Sequence, residues 1–293
     1  MEILVCLKQV PDDSVEIHLK PGTEEVNLDG VDSVVNAFDT YALEMAARLK
    51  EAVGGSITAI TIGPEKARDA VKTCLAVGAN QGCLITAPSF EGADTLGKSK
   101  ILAAAIRKLE ADAGKPFDLI FCGREATDKA SGQVGPQLAE ALGVGVVTDL
   151  VDIQQTDAGV QAKQETEEGY RLVDAPLPCV VTVNKPPYDP RYPTIKSKLA
   201  ARKMPIPVLS AALHIICLVI HDDDFLFALF IFLIKEGIND SLNQYRLFAF
   251  TADLQFICRH TDYERLFCVE GLPCPCREGR CRAPRRGSRW SWR

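Results

Sequence analysis

The stretch that most constrains the fold runs from Phe117 to Gly143, FDLIFCGREATDKASGQVGPQLAEALG. It opens on an apolar run, Phe117 to Cys122, bounded by Pro116 and Gly123, the pattern of a strand buried on both faces. A polar loop, Arg124 to Ser131, leads into a helix that Ser131 or Gly132 would cap. Pro136 falls in its first turn, where backbone N–H groups have no helical partner. Leu138, Ala139 and Leu142 supply its buried stripe and Gly143 ends it. Strand, glycine-containing loop and helix N-terminus in that order leave free N–H groups and a positive dipole end facing outward, which suits a phosphate or pyrophosphate. The same pattern also serves as an ordinary strand-to-helix turn, and it is neither a GxGxxG nor a Walker loop.

The preceding chain repeats the alternation. Glu2 to Leu7 reads as a strand, Val15 to Leu19 as a half-exposed extended segment, and Pro21-Gly22 as its turn. A helix is expected over Thr40 to Val53, capped by Asp39 and ended by Gly54-Gly55. Strand, helix and strand follow at Ser56 to Ile62, Pro64 to Val77 and Gly82 to Thr86. Asp94 or Thr95 would cap a third helix reaching Leu109. Strands alternating with helices predict an α/β fold, a parallel sheet with helices on both faces and a ligand at the carboxyl ends of the strands. Four segments would meet at that edge: Cys6 to Asp12, Asn36 to Asp39, Ile62-Gly63-Pro64 and Gly123 to Val134. Their convergence points to a nucleotide pocket.

After Val144 the period changes. Thr148 to Gln154, Val160 to Gln164 and Gly169 to Val173 predict a small antiparallel excursion, over about 148–174, and Cys179 to Val183 returns as a buried strand. Residues 184–204, NKPPYDPRYPTIKSKLAARKM, are proline-rich and then basic. They predict a stiff projecting loop rather than a helix, fit for docking or simply for connection.

The net charge of -6 argues against a nucleic-acid partner, since duplex binding rests on neutralised phosphates. No signal peptide or transmembrane segment is expected, and Cys6, Cys74, Cys83, Cys122 and Cys179 sit singly in apolar contexts, so a reducing cytoplasm is. No metal site is expected.

Residues 1 to about 210 resemble the β subunit of an electron-transfer flavoprotein, through CLKQVPD, NAFDTYALE, IGP before a helix, LAVGA, CGREATDKASGQVGP, PCVVTVN and DPRYPTIKSKLAARK, in order and at family-like spacing. The resemblance implies a Rossmann-like, adenine-nucleotide-binding domain in a heterodimer whose α subunit carries the redox FAD. The β subunit then holds AMP or, in electron-bifurcating members, a second FAD that takes hydride from NADH. By match, nucleotide contacts would come from Cys6, Asn36, Ala37, Phe38, Asp39, Ile62 and Gly63, and from Gly123, Arg124, Ala126 and Thr127 through to Gly135. Asp128, Ser131, Gly132, Gln133 and Val134 would surround the phosphates. KQVPD, DTYALE and GADT are similar to the bifurcating members, and Asp94 and Thr95 would face a flavin ring or simply cap their helix. The resemblance also assigns partner contacts: Ile195 as anchor for acyl-CoA-type or other dehydrogenases, beside Arg191 and Tyr192, and Glu165 towards an α-subunit arginine. On this resemblance the flavin carries the hydride chemistry, and no residue need act as acid, base or nucleophile.

From about Ala211 the family pattern stops. The tail, 211–293, ends in GLPCPCREGRCRAPRRGSRWSWR and reads as a frameshifted, fused or disordered piece. Phe225 to Ile234 is shorter than the roughly 20 residues a bilayer span needs. Two other classes remain open: an ATP-using synthase of the related fold, which would need a glycine- and serine-rich loop where KQVPDD stands, and a nucleotide-sensing module, which would need no docking loop.

Overall fold

The computed structural model describes residues 1–210 apart from 13, 17 and 25. The expectations for residues 211–293 lie outside the described residues.

The chain opens on β1 (Glu2–Leu7). Four short strands follow, β2 (Gln9–Pro11), β3 (His18–Leu19), β4 (Val26–Asn27) and β5 (Ser33–Val35), with β2 antiparallel to β5 and β3 to β4. Then come α1 (Ala37–Val53), β6 (Ser56–Ile62), α2 (Arg68–Val77), β7 (Gln81–Ile85), α3 (Thr95–Ala113), β8 (Leu119–Gly123) and α4 (Val134–Leu142). A three-stranded meander, β9 (Gly145–Thr156), β10 (Gly159–Thr166) and β11 (Gly169–Ala175), precedes β12 (Cys179–Val183), α5 (Ile195–Arg202) and β13 (Val208–Leu209).

One sheet of nine strands, ordered β11-β10-β9-β12-β8-β1-β6-β7-β13, carries the domain. Every pairing from β9 to β13 is parallel, and only the β9–β10–β11 pairs are antiparallel. The fold is therefore α/β with the antiparallel excursion expected. β1 shows why both sheet faces are covered. Ile3, Val5 and Leu7 pack beneath α1 and α2, whereas Leu4 and Cys6 join Leu102 and Ile106 of α3 and Leu138 of α4 on the opposite face. From β1 the order runs outward through β6 and β7 on one side and begins again with β8 on the other. That reversal makes the β1/β8 junction the switch point, where a crevice opens beyond the strand ends.

Several local expectations are corrected. α1 begins three residues before Thr40, and Asp39 lies in its first turn instead of capping it. Asn36 occupies the cap position, its carbonyl accepting the N–H groups of Asp39 (3.0 Å) and Thr40 (3.1 Å) while its side chain is turned away. Neither Ser131 nor Gly132 caps α4. Gly132 is left-handed (φ 62°), as is Ala130 (φ 45°), so the loop coils tightly and the helix starts only at Val134. α3 runs past Leu109 to Ala113 and stops at left-handed Gly114. Among the described residues of Val15 to Leu19, His18–Leu19 alone pairs as strand. The 184–204 segment is not all loop. Its prolines end at Pro193, Thr194 accepts the Ser197 N–H at 3.1 Å, and α5 forms from there.

Candidate functional site

The cleft at the switch point takes in about 830 Å³ including its solvent-facing mouth. Cys6 and Leu7 end β1, Cys122 and Gly123 end β8, and these four make its floor. Ile62 and Leu102 supply apolar wall, Thr95 and Lys98 come from the first turn of α3, and the loop from Arg124 to Gly135 closes the remaining side.

Two asparagine and aspartate side chains build this shape. Asn36, fully buried, donates from Nδ2 to the Glu125 carbonyl at 2.8 Å and accepts the Thr127 N–H on Oδ1 at 3.1 Å. Asp39 accepts the N–H of Lys8 at 2.6 Å and that of Gly123 at 3.2 Å. One carboxylate thus ties the ends of β1 and β8 to the start of α1. Burial pushes its pKa up to about 7, against the opposing pull of those N–H donors. Gly123 allows the approach, since a Cβ there would stand 2.3 Å from Asp39 Oδ1. Gly135 does the same for α4: its Cβ would stand 2.3 Å from Thr182 Cγ2 on β12.

Among the described residues, the N–H groups of Ser131, Gly132, Gln133, Val134 and Gly135 have no acceptor; the first such bond into α4 is Gln137 N–H to the Gln133 carbonyl, 3.1 Å. A row of open donors at a helix N-terminus, beside cations, is a seat for an anion. The cations are Lys8, Lys98, Arg124 and Lys129. Lys8 is bound by Asp128 (2.5 and 2.7 Å), and Arg124 pairs with Asp149 at 3.3 Å. Lys98 and Lys129 have no ion-pair partner among the described residues. The Lys98 pKa is lowered first by partial burial and then by repulsion from Lys8 and Lys129, a strain that an incoming anion would relieve.

Cys6 and Cys122 lie side by side on the floor. The Cys6 thiol is raised well above its usual range, first by its hydrogen bond with Cys122 and then by burial, so it is no nucleophile at neutral pH. All five described cysteines are free and buried.

Of the residues singled out from the sequence, Cys6, Asn36, Asp39, Ile62, Thr95, Gly123, Arg124, Ala126 and the run from Ser131 to Gly135 line the cleft. Thr95 Oγ1 donates to Gln133 Oε1 at 3.0 Å across the mouth. The others stand just behind. Ala37 and Phe38 continue the first turn of α1, Gly63 packs on Ala67, Thr127 is held by Asn36, and Asp128 engages Lys8. Asp94 caps α3, accepting the Gly97 N–H at 2.7 Å. Sequence reasoning missed Lys98 and Leu102, whereas Lys8, Glu125 and Lys129 lie within the converging segments Cys6 to Asp12 and Gly123 to Val134 without having been singled out. For Lys98 the signal existed, since it stands one turn after Thr95 and must share its face.

The proline-rich segment lies on the α1 side. Arg191 is held there by Glu44 and Glu51, whereas Tyr192 (89%) and Ile195 (81%) are exposed. Glu165, on β10, accepts from Asn184 Nδ2 at 2.6 Å.

The fold and cleft define a class: a doubly wound α/β domain with a crevice at the switch point that holds open amide donors and two unpaired lysines. Comparison with known proteins narrows this. The electron transfer flavoprotein domain is matched over residues 25–214, and the chain belongs to that family, on its β-subunit side. It is similar to the electron transfer flavoprotein subunit beta of Megasphaera elsdenii, 42% identical over 214 residues covering 72% of this chain and 79% of that protein. The acryloyl-CoA reductase electron transfer subunit gamma of Anaerotignum propionicum is 38% identical over 211 residues, 71% of this chain and 77% of the relative. The caffeyl-CoA reductase-Etf complex subunit CarD of Acetobacterium woodii is 38% identical over 209 residues, 71% and 78%. None of the helices among the described residues is long and apolar enough to cross a membrane.

Proposed function

We propose that this chain is the β subunit of a heterodimeric cytoplasmic electron carrier that holds an adenine nucleotide, AMP or FAD, in the switch-point cleft and pairs with an FAD-bearing α subunit. The observation that carries the reading is the run of open N–H groups from Ser131 to Gly135 facing Lys98 and Lys129. An adenylate fits that donor set: phosphate oxygens accept from the loop amides and lysines, and the apolar side of the cleft, Ile62, Leu102 and Val134, takes a flat ring. Bound flavin in such a complex supplies reversible electron and hydride chemistry. The chain's own part is to bind and orient, to exclude water with its apolar floor, and to present a docking segment around Tyr192 and Ile195 to dehydrogenases.

With AMP in the cleft the complex is an ordinary carrier; the second reading puts FAD there, with NADH as donor. It is favoured by Thr95 and Gln133 lying across the mouth, where a ring system would meet them, and by kinship to subunits named for reductase complexes. One experiment separates the readings. The chain is co-expressed with an α subunit, the purified complex is denatured, and the released nucleotides are identified. AMP with one FAD per heterodimer is the ordinary carrier and two FAD the second reading; no adenylate beyond the α-subunit FAD would overturn both.

A further inference from the structure

Four prolines, Pro186, Pro187, Pro190 and Pro193, stiffen the chain between β12 and α5, yet no strand or helix holds it from 184 to 194. A segment built that way hinges at its other residues unless side chains fix it. Arg191 is the fixing group. Its Nε donates to Glu44 Oε2 at 2.7 Å and Nη2 to Glu44 Oε1 at 3.2 Å; Nη1 and Nη2 reach Glu51 at 2.5 and 3.2 Å. Its backbone N–H adds a bond to Glu44 Oε2 at 3.1 Å. Four of the guanidinium's five N–H donors are thereby engaged inside the chain, leaving little of it for a partner.

The receiving carboxylate is prepared for this. Glu44 is 3% exposed in its side chain and also accepts Arg48 Nε at 2.7 Å. Burial alone would raise its pKa, but the bonds from Arg191 and Arg48 outweigh burial and hold it below the ordinary carboxyl value, so it stays charged. Arg48 stacks over the Tyr188 ring, 3.7 Å from its centroid, and pins the same segment upstream. Downstream, Ala201 of α5 is buried. Tyr192 and Ile195 are thus carried on a span fastened at both ends.

We infer that Arg191 is a positioning residue for partner recognition: forked between Glu44 and Glu51 of α1, it presets the span that displays Tyr192 and Ile195. This rests on reading the span as the docking element. A preset span has no ordering cost to meet at association, and loosening it weakens encounter complexes without touching electron transfer once docked.

The test uses the heterodimer and an acyl-CoA dehydrogenase that reduces the wild-type complex. Arg191→Ala raises KM for the heterodimer about tenfold, equivalent to about 1.4 kcal/mol, with kcat and flavin content unchanged. Glu51→Gln, an exposed change that threatens no fold, raises KM in the same direction by roughly threefold and speeds tryptic cleavage after Arg191. The double variant is no worse than Arg191→Ala alone, because both break one clamp. Arg191→Lys, which keeps the charge but loses the fork, lies between wild type and Arg191→Ala. An inert Glu51→Gln, additive single effects, or a wild-type-like Arg191→Lys overturns the clamp. Ile195→Asp tells the two failures apart. If it raises KM while Arg191→Ala does not, only the clamp is wrong; if it too leaves KM unchanged, the docking reading is wrong and the clamp falls with it.

Discussion

Asp39 shows how one buried carboxylate carries both architecture and a pH dependence. Its folded pKa, about 7, stands above the 3.8 of an unfolded chain. The folded state therefore holds the proton more tightly, and stability from that proton is full below about pH 4, is lost as pH rises to about 7, and is flat above. The difference amounts to at most roughly 4 kcal/mol. Asp39→Asn removes this component, and it costs about 1–3 kcal/mol as well, because an amide nitrogen cannot accept from the Lys8 or Gly123 N–H. Urea unfolding across pH 4.5 to 8 checks both, and parallel curves for wild type and variant would refute the assignment. Gly135 poses a purely steric question. A methyl at that position meets Thr182 Cγ2 at 2.3 Å, on a buried strand, β12, that is paired on both sides by β8 and β9. Gly135→Ala is expected to cost about 1–3 kcal/mol and to release nucleotide, measured by denaturation and by nucleotide content after purification.

In the proposed site the start of α4 and the start of α3 form a pair, one offering amides and the other a lysine. Lys98→Ala should lower adenylate affinity about tenfold at low salt, with a smaller loss at high salt where the charge is screened; titration calorimetry with AMP at two ionic strengths reads it. Equal affinity at low salt would remove Lys98 from the site. How much of this pairing is legible in the sequence depends on range. The buried run at Phe117 to Cys122 and the glycine loop after it announce strand, loop and helix, because period and punctuation are local. Asp39 looks like a cap from its neighbours alone, since its partners Lys8 and Gly123 lie 31 and 84 residues away. Lys98 looks like a solvated helix charge until α3 is set against α4. Pro190 and Pro193 conceal α5, which begins immediately after them. Local pattern thus yields the elements and the cleft's edge, while tertiary contacts decide which polar groups are left open.

The cleft lies where the two faces of the sheet meet. A ligand there would touch the ends of β1 and β8, the Asn36–Asp39 turn on one face, and the first turns of α3 and α4 on the other. Anything bridging these elements must leave when they separate, so occupancy should be linked to global unfolding and not merely to local order. Ligand at one hundred times its Kd adds about 2.7 kcal/mol, and for a domain of this size that raises Tm on the order of 5 °C. The proposed docking span is fastened to α1 and stands apart from the α3–α4 side, so its loosening should leave the shift intact. The proposed heterodimer, prepared with this chain's cleft free of adenylate, is therefore expected to gain that increment from added AMP in wild type and Arg191→Ala alike. Lys98→Ala should gain markedly less at the same concentration. A shift abolished by Arg191→Ala would mean that the two sites share one cooperative element through α1, whose first turn holds Asn36 and Asp39 and whose middle holds Glu44. An equal shift in all three proteins would place the adenylate away from the α4 N-terminus.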